Sequence, residues 1–287
     1  MRAVVVVLVG IFLLDVMGAL VKHLIVRYPA PELAMFRNLF GMVPTLIILV
    51  TSSQWRKQGR PLMFDRWYLG FIRGIFVTGA QFCFYVGLAH LELATVSTLV
   101  FAGPMFITAL SMPILGDRVG LWRWMAVLVG FVGIVLVVRP GSDLFTYHAL
   151  LPIGAALGYA CATILVKLID DRAPTAAINL YSQIGALGGA LVLVATLSGY
   201  VPVASLEDMM SIAAMGVVGG MGVFCLISAY RMSRPSNLAP FEYFGIVFAF
   251  GLGWVFFDEA PFDKLIPGVF LIVAAGLLII WRQARHG

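Results

Sequence analysis

Arg73, Gln81 and Tyr85 recur at intervals of eight and four in one apolar stretch, within about 120° of one another on a helical wheel. One helix face therefore presents a cation, an amide and a phenol, a set that can hold a polar or flat molecule by charge, hydrogen bond and ring stacking. A second candidate is Glu242, the only charged side chain in "APFEYFGIVFAFGLGW" (239–254). Its depth from one end of its segment matches that of Arg73, at about 10 Å. Glu242 either pairs with Arg73 as a structural clamp or takes up a proton, where proton and substrate could compete. Pro240 has no backbone N–H, so carbonyls near Ser236 are free to line a cavity.

Three further charges lie in apolar surroundings. Asp15 sits at the centre of the first apolar run, too deep for its short side chain to reach water. Lys22 follows two turns later on the same face, and Arg37 lies five residues into the next run. Ionisable groups at such depth are costly and usually face a cavity or a partner. Lys22 and Arg37 have the alternative of extending to the headgroup layer. Phe101, Tyr159, Tyr181 and Tyr243 are candidates for an aromatic cavity wall, against the plainer role of packing. Pro104 and Pro240 are candidate hinges. The pairs Gly70/Gly74, Gly154/Gly158 and Gly216/Gly220 read as close helix contacts.

These residues need a scaffold, and composition names its class. Of 287 residues, 61% are hydrophobic and 11% charged, with a mean hydropathy of +1.00. Soluble domains carry about a quarter charged residues. Breaks at Pro, Gly and charge clusters divide the chain into ten segments near bilayer length. They run over 3–26, 32–51, 66–90, 94–115, 121–138, 147–169, 174–198, 208–231, 236–257 and 263–281. The expected fold is an all-α polytopic membrane protein. The first segment resembles a cleavable leader, but its apolar pattern continues past Ala19, so it is read as a spanning helix. Cys83, Cys161 and Cys225 lie in apolar runs without metal-type spacing and read as small buried hydrophobes.

Orientation follows from Lys and Arg. With the N-terminus in the cytoplasm, thirteen basic residues face that side: Arg2, Arg56, Lys57, Arg60, Arg66, Arg118, Arg123, Lys167, Arg172, Arg231, Arg234, Arg282 and Arg285. Three, Arg27, Arg139 and Lys264, face the other. Both termini are expected inside. The net charge of +5 is then a matter of topology and lipid headgroups, not of nucleic acid.

The halves of the chain resemble each other. "GLAHLELATVSTLVFAGPMF" (87–106) lies against "ISAYRMSRPSNLAPFEYFGI" (227–246), and "LGDRVGLWRWMAVLVGFVGIVLV" (115–137) against "FDEAPFDKLIPGVFLIVAAGLLII" (257–280). Lys22 with "PAPELA" matches Lys167 with "RAPTAA". Residues 1–140 and 144–287 are therefore expected to form two repeats. Five helices per half, an odd number, would invert the second repeat relative to the first, a recurrent plan of secondary transporters.

The stretches "MFRNLF", "FYVGLAHLELA", "FAGPMFITALSMPILGDRVGLWRW" and "LAPFEYFGIVFAFGLGWVFFDE" resemble the EamA-type branch of the drug/metabolite transporter superfamily. "FEY" and "FRN" are most similar to its S-adenosylmethionine and riboflavin uptake carriers. The resemblance implies ten helices in an inverted five-plus-five arrangement in the cell inner membrane and a carrier without ATP or cofactor. It implies as partner a small nucleoside-like, vitamin-like or amino-acid-like substrate, with protons as the candidate coupling ion. Uptake is the expected direction, with export of amino acids, toxic metabolites or organic cations as the alternative. The chain would act as a monomer or homodimer. No HExxH, GxSxG or GxxxxGK motif is present, which argues against an intramembrane enzyme or ATP-driven pump. A channel or structural membrane protein is the remaining alternative.

Overall fold

The computed structural model describes residues 2–51, 55, 64–116, 125, 128–129, 132, 135–136, 146–169, 173–232, 241 and 244–259. Among the described residues the chain is all helical apart from turns and connections. We number the helices α1 (Arg2–Leu24), α2 (Ala30–Thr51), α3 (Trp67–His90), α4 (Leu93–Val100), α5 (Gly103–Leu115), α6 (Leu150–Lys167), α7 (Thr175–Leu193), α8 (Leu206–Met232) and α9 (Phe244–Phe257). A 3-10 turn, Tyr147–Ala149, leads into α6, and a π-turn, Val194–Ser198, ends α7. Among the described residues, seven spans are long and apolar enough to cross a membrane, with α4 and α5 together forming one of them; α9 is a shorter apolar helix. Most of the expected fifth segment and all of the tenth lie outside the described residues.

Long apolar sequence becomes helix here because a helix satisfies its backbone within the segment, which hydrocarbon surroundings require. The outward stripes are large and apolar: Val43, Leu46, Ile47 and Val50 on α2, and Phe71, Ile72, Ile75 and Phe76 on α3, are all exposed. Inward positions are small. α7 buries Ala176, Ala177, Gly185, Ala186 and Ala190. A Cβ on Gly74 would lie 2.1 Å from the Ser182 carbonyl oxygen, and one on Gly185 would lie 2.2 Å from that of Phe71. Helices α3 and α7 thus touch backbone to backbone. At the α2–α8 seam, a Cβ on Gly220 would lie 2.7 Å from the Gly41 carbonyl oxygen.

The most extensive contacts pair α1 with α8, α3 with α7, α3 with α6, α2 with α8, and α2 with α7. Each helix therefore packs chiefly on helices from the other half of the chain. The span 93–115 breaks at Phe101 and Ala102, immediately before Gly103 and Pro104. Pro104 stands in the first turn of α5, where its missing N–H leaves no helical hydrogen bond unmade.

Candidate functional site

Helices α2 and α3 bring amides and guanidinium groups into the bundle interior. Arg37 is 4% exposed, and Asn38, Gln81 and Tyr85 are buried. The Asn38 and Gln81 amides are paired: Asn38 Nδ2 donates to Gln81 Oε1 at 2.8 Å, and Gln81 Nε2 donates to Asn38 Oδ1 at 3.3 Å. Asn38 Nδ2 also donates to the Ala34 carbonyl at 2.8 Å. Arg37 Nη1 donates to Asn38 Oδ1 at 3.0 Å, while Nη2 reaches the Gly219 carbonyl of α8 at 3.4 Å. Arg37 therefore points inward rather than to the headgroup layer.

Arg73 lies on the same side of α3 and donates through Nη1 to Ser182 Oγ of α7. Arg37 is within electrostatic reach of Arg73, Tyr85 and Tyr159. Among the described residues, the buried Nε atoms of both arginines and the buried Tyr85 hydroxyl have no hydrogen-bond partner. Among the described residues, neither arginine has a carboxylate at ion-pair distance. This group combines Arg37, Arg73, Gln81, Tyr85 and Tyr159 from three helices.

The other expected residues lie elsewhere. One carboxylate oxygen of Asp15, Oδ2, is buried without a hydrogen-bond partner among the described residues. It sits beside Gly245 of α9, where an added Cβ would meet Phe101 at 2.7 Å, Ile11 at 3.0 Å and Asp15 Oδ2 at 3.3 Å. Asp15 and Phe101 thus form a second locus where α1, the α4–α5 break and α9 meet. Lys22 pairs with Glu259 at 2.6 Å, donates to the Leu91 carbonyl at 2.8 Å and lies 5.6 Å from the Phe257 ring centroid. Tyr181 belongs to an aromatic cluster at the opposite end, with Phe64 and Trp67 each at 5.5 Å between centroids. Glu242, Tyr243 and Pro240 lie outside the described residues. So does the expected Arg73–Glu242 pair.

Sequence reasoning missed the polar partners on α2 and α7. Thr45 Oγ1 accepts from Asn179 Nδ2 at 2.9 Å and from Gln183 Nε2 at 3.2 Å. Thr78 Oγ1 donates to the Ala186 carbonyl at 2.7 Å. A usable signal existed, because Asn179, Ser182, Gln183 and Ala186 recur at helical spacing on one face.

The Asn38–Gln81 pair gives a direct test of this geometry. A double-mutant cycle with Asn38→Ala and Gln81→Ala should return a coupling of about 1 kcal/mol, the scale of interhelical hydrogen bonds within membranes. Additive losses in unfolding free energy would separate the two amides.

Several proteins of known character match along most of the chain. The pseudopaline exporter CntI of Pseudomonas aeruginosa (strain UCBPP-PA14) is 30% identical over 269 residues, covering 92% of this chain and 90% of the relative. The S-adenosylmethionine uptake transporter of Rickettsia bellii (strain RML369-C) is 24% identical over 283 residues, covering 96% and 94%. A riboflavin transporter of Rhizobium johnstonii is 29% identical over 202 residues, covering 70% and 66%. A solved crystal structure superposes with a TM-score of 0.66 at 20% identity, covering 99% of this chain and 98% of the other, which is a likeness of fold. A transporter family model matches residues 1–139 and again 146–281, and with it an enzymatic reading falls away: the chain belongs to the EamA-like transporter family, a membrane transporter of the drug/metabolite superfamily.

Proposed function

We propose that the chain is a secondary active carrier of a small polar or amphipathic metabolite, built of ten helices as two inverted five-helix repeats that alternate access to a central site. The repeats are 1–140 and 144–287. The observation that carries this reading is a symmetry in the helix contacts. Exchange the halves, so that α1 corresponds to α6, α2 to α7, α3 to α8, and the α4–α5 span to α9. The α1–α8 contact then becomes α6–α3, α3–α7 becomes α8–α2, and α1–α9 becomes α6–α5, while α2–α7 and α4–α9 map onto themselves. Every one of these contacts occurs. The Gly74/Gly185 and Gly41/Gly220 close approaches sit at the two seams that this exchange relates. A bundle whose halves pack equivalently has two packings of near-equal energy, which is what exchange between outward and inward states needs.

Substrate binding falls to Arg37, Arg73, Gln81, Tyr85 and Tyr159, with Asp15 and Phe101 at the α1–α9 locus, Glu242 and Tyr243 as further candidates read from the sequence alone, and protons as the coupling ion. The carrier reading is tested in proteoliposomes. Preloaded unlabelled substrate should accelerate entry of labelled substrate, whereas a channel gives flux without acceleration. Glu242→Gln keeps shape and removes titration, so exchange should persist while stimulation by a proton gradient is lost. Wild-type gradient dependence in this variant would reduce Glu242 to a structural residue.

Both termini are placed in the cytoplasm of a cell with the chain in its inner membrane, on the thirteen-to-three distribution of Lys and Arg. In a background without Cys83, Cys161 and Cys225, an impermeant maleimide should label Ser142→Cys and Ser205→Cys from outside and miss Gln58→Cys. Labelling of Gln58→Cys alone would reverse the orientation. Uptake is the direction favoured by the "FEY" and "FRN" likeness. Export is the second reading, and identity to the pseudopaline exporter along nearly the whole chain favours it.

A further inference from the structure

The arginine cluster has a chemical bias that a general polar cavity would lack. Among the described residues its unfilled groups can all donate: the Nε–H of Arg37 and the Nε–H of Arg73, which can only donate, and the hydroxyl of Tyr85, which can donate as well as accept. Arg37 and Tyr85 are almost wholly buried, at 4% and 0% exposed. The nearby amides are already satisfied by each other and by Ala34 and Arg37. Two positive charges in a membrane interior, without a carboxylate partner among the described residues, call for negative charge from elsewhere. Guanidinium groups present donors in a planar fork that matches the oxygens of a carboxylate or phosphoryl group.

The geometry points to an oxyanion site, in which Arg37, Arg73 and Tyr85 receive a carboxylate or phosphoryl group of the transported molecule. This assignment rests on the carrier reading and adds the chemical class of its substrate. It also gives the anion a mechanical part. Arg37 reaches across the α2–α8 seam to Gly219, and Arg73 across the α3–α7 seam to Ser182. These are two of the seams at which the halves of the chain meet backbone to backbone. An anion drawing both guanidinium groups toward itself competes with both cross-seam contacts at once. Binding would thereby bias how the halves pack, as a carrier's substrate must.

The test titrates the purified full-length chain with sodium acetate, sodium succinate and sodium phosphate against methylammonium chloride at constant ionic strength, following melting temperature. An oxyanion should give a saturable rise of about 3 °C near tenfold saturation. Methylammonium should give none. Preference for acetate or succinate assigns the site to carboxylates, and preference for phosphate assigns it to phosphoryl groups. The rise should vanish in Arg37→Gln and in Arg73→Gln. Arg37→Lys, which keeps the charge but not the fork, should weaken it about tenfold and guards against a variant that fails to fold. Absence of any oxyanion effect, or an equal effect in folded Arg73→Gln, overturns the assignment. Substrate exchange that persists without an oxyanion effect would sink the oxyanion site and leave the carrier. Oxyanion-specific stabilisation without exchange would do the reverse.

Discussion

Gly185→Ala should prevent accumulation of folded protein, while Gly188→Ala, the same change one turn further along α7, should be neutral or slightly stabilising. The added methyl carbon at 185 would stand 2.2 Å from the Phe71 carbonyl oxygen and 3.0 Å from its carbonyl carbon. Both are backbone atoms of a helix, so no rotamer change relieves the clash; α3 and α7 must separate. Separation would also stretch the Thr78–Ala186 and Arg73–Ser182 hydrogen bonds across the same seam. Overpacking alone costs about 1–3 kcal/mol, and loss of the seam adds to it. At Gly188 no atom of the described residues lies within 4 Å of the added carbon, and alanine is favoured over glycine in a helix by about 1 kcal/mol. Size-exclusion profiles and melting curves in detergent check the pair. A monodisperse Gly185→Ala protein with wild-type melting would mean that α3 and α7 do not touch.

The second large effect is expected at the end of the bundle that carries 24–30 and 199–208. Asp208 accepts from the Tyr28 hydroxyl at 2.8 Å and pairs with Arg27 at 2.7 Å. Tyr28 in turn accepts from the Ala204 N–H at 3.0 Å, and Glu32 accepts from the Val201 N–H at 3.0 Å. This is a latch between the first half of the chain and the connection leading into α8. Its components differ in worth. The Arg27 side chain is 46% exposed, so solvent screens that pair and it contributes about 0–1 kcal/mol. The Tyr28–Asp208 hydrogen bond is buried and charge-assisted, worth about 1.5–3 kcal/mol. Asp208→Ala should therefore shift the balance toward opening at this end by roughly tenfold or more. The readout is maleimide labelling of Ile212→Cys, a position that is 0% exposed one turn below the latch. Labelling should quicken at least tenfold in Asp208→Ala and little in Arg27→Ala. Equal acceleration by both would move the energy to the ion pair.

Much of this architecture was legible in the sequence because hydropathy and helix periodicity are local. Seven spans and the inward glycines at 74, 158, 216 and 220 could be read from spacing alone. The burial of Gln81 and Tyr85 on one face of α3 follows from the same periodicity. Partner choice was not legible. Lys22 meets Glu259 and Tyr28 meets Asp208 across most of the chain, and such pairs are fixed by how helices pack rather than by any local pattern. Asp208 lies in the first turn of α8, with its N–H bonded to Ser205 Oγ at 3.1 Å, and in sequence it looks only like a helix-start residue. Tyr181 was read by residue type alone; its ring contacts with Phe64 and Trp67 are revealed only by the fold. Asn38 was within reach of sequence reasoning, since it adjoins Arg37 in "FRN", yet its role as the amide that joins Arg37 to Gln81 needed the α2–α3 geometry.

Alternating access is the central claim, and pairs of spin labels at the two ends of the bundle test it most directly. One pair, Val26→Cys with Leu206→Cys, spans the halves at the latch; the other, Tyr68→Cys with Lys167→Cys, spans them at the opposite end. All four positions are exposed, so labels should not disturb packing. Distances are measured by double electron–electron resonance in nanodiscs, in the wild-type background and with Asp208→Ala. Alternating access predicts reciprocal change: the variant lengthens the first distance distribution and shortens the second. Distributions that stay fixed at both ends, or that lengthen together, would contradict it.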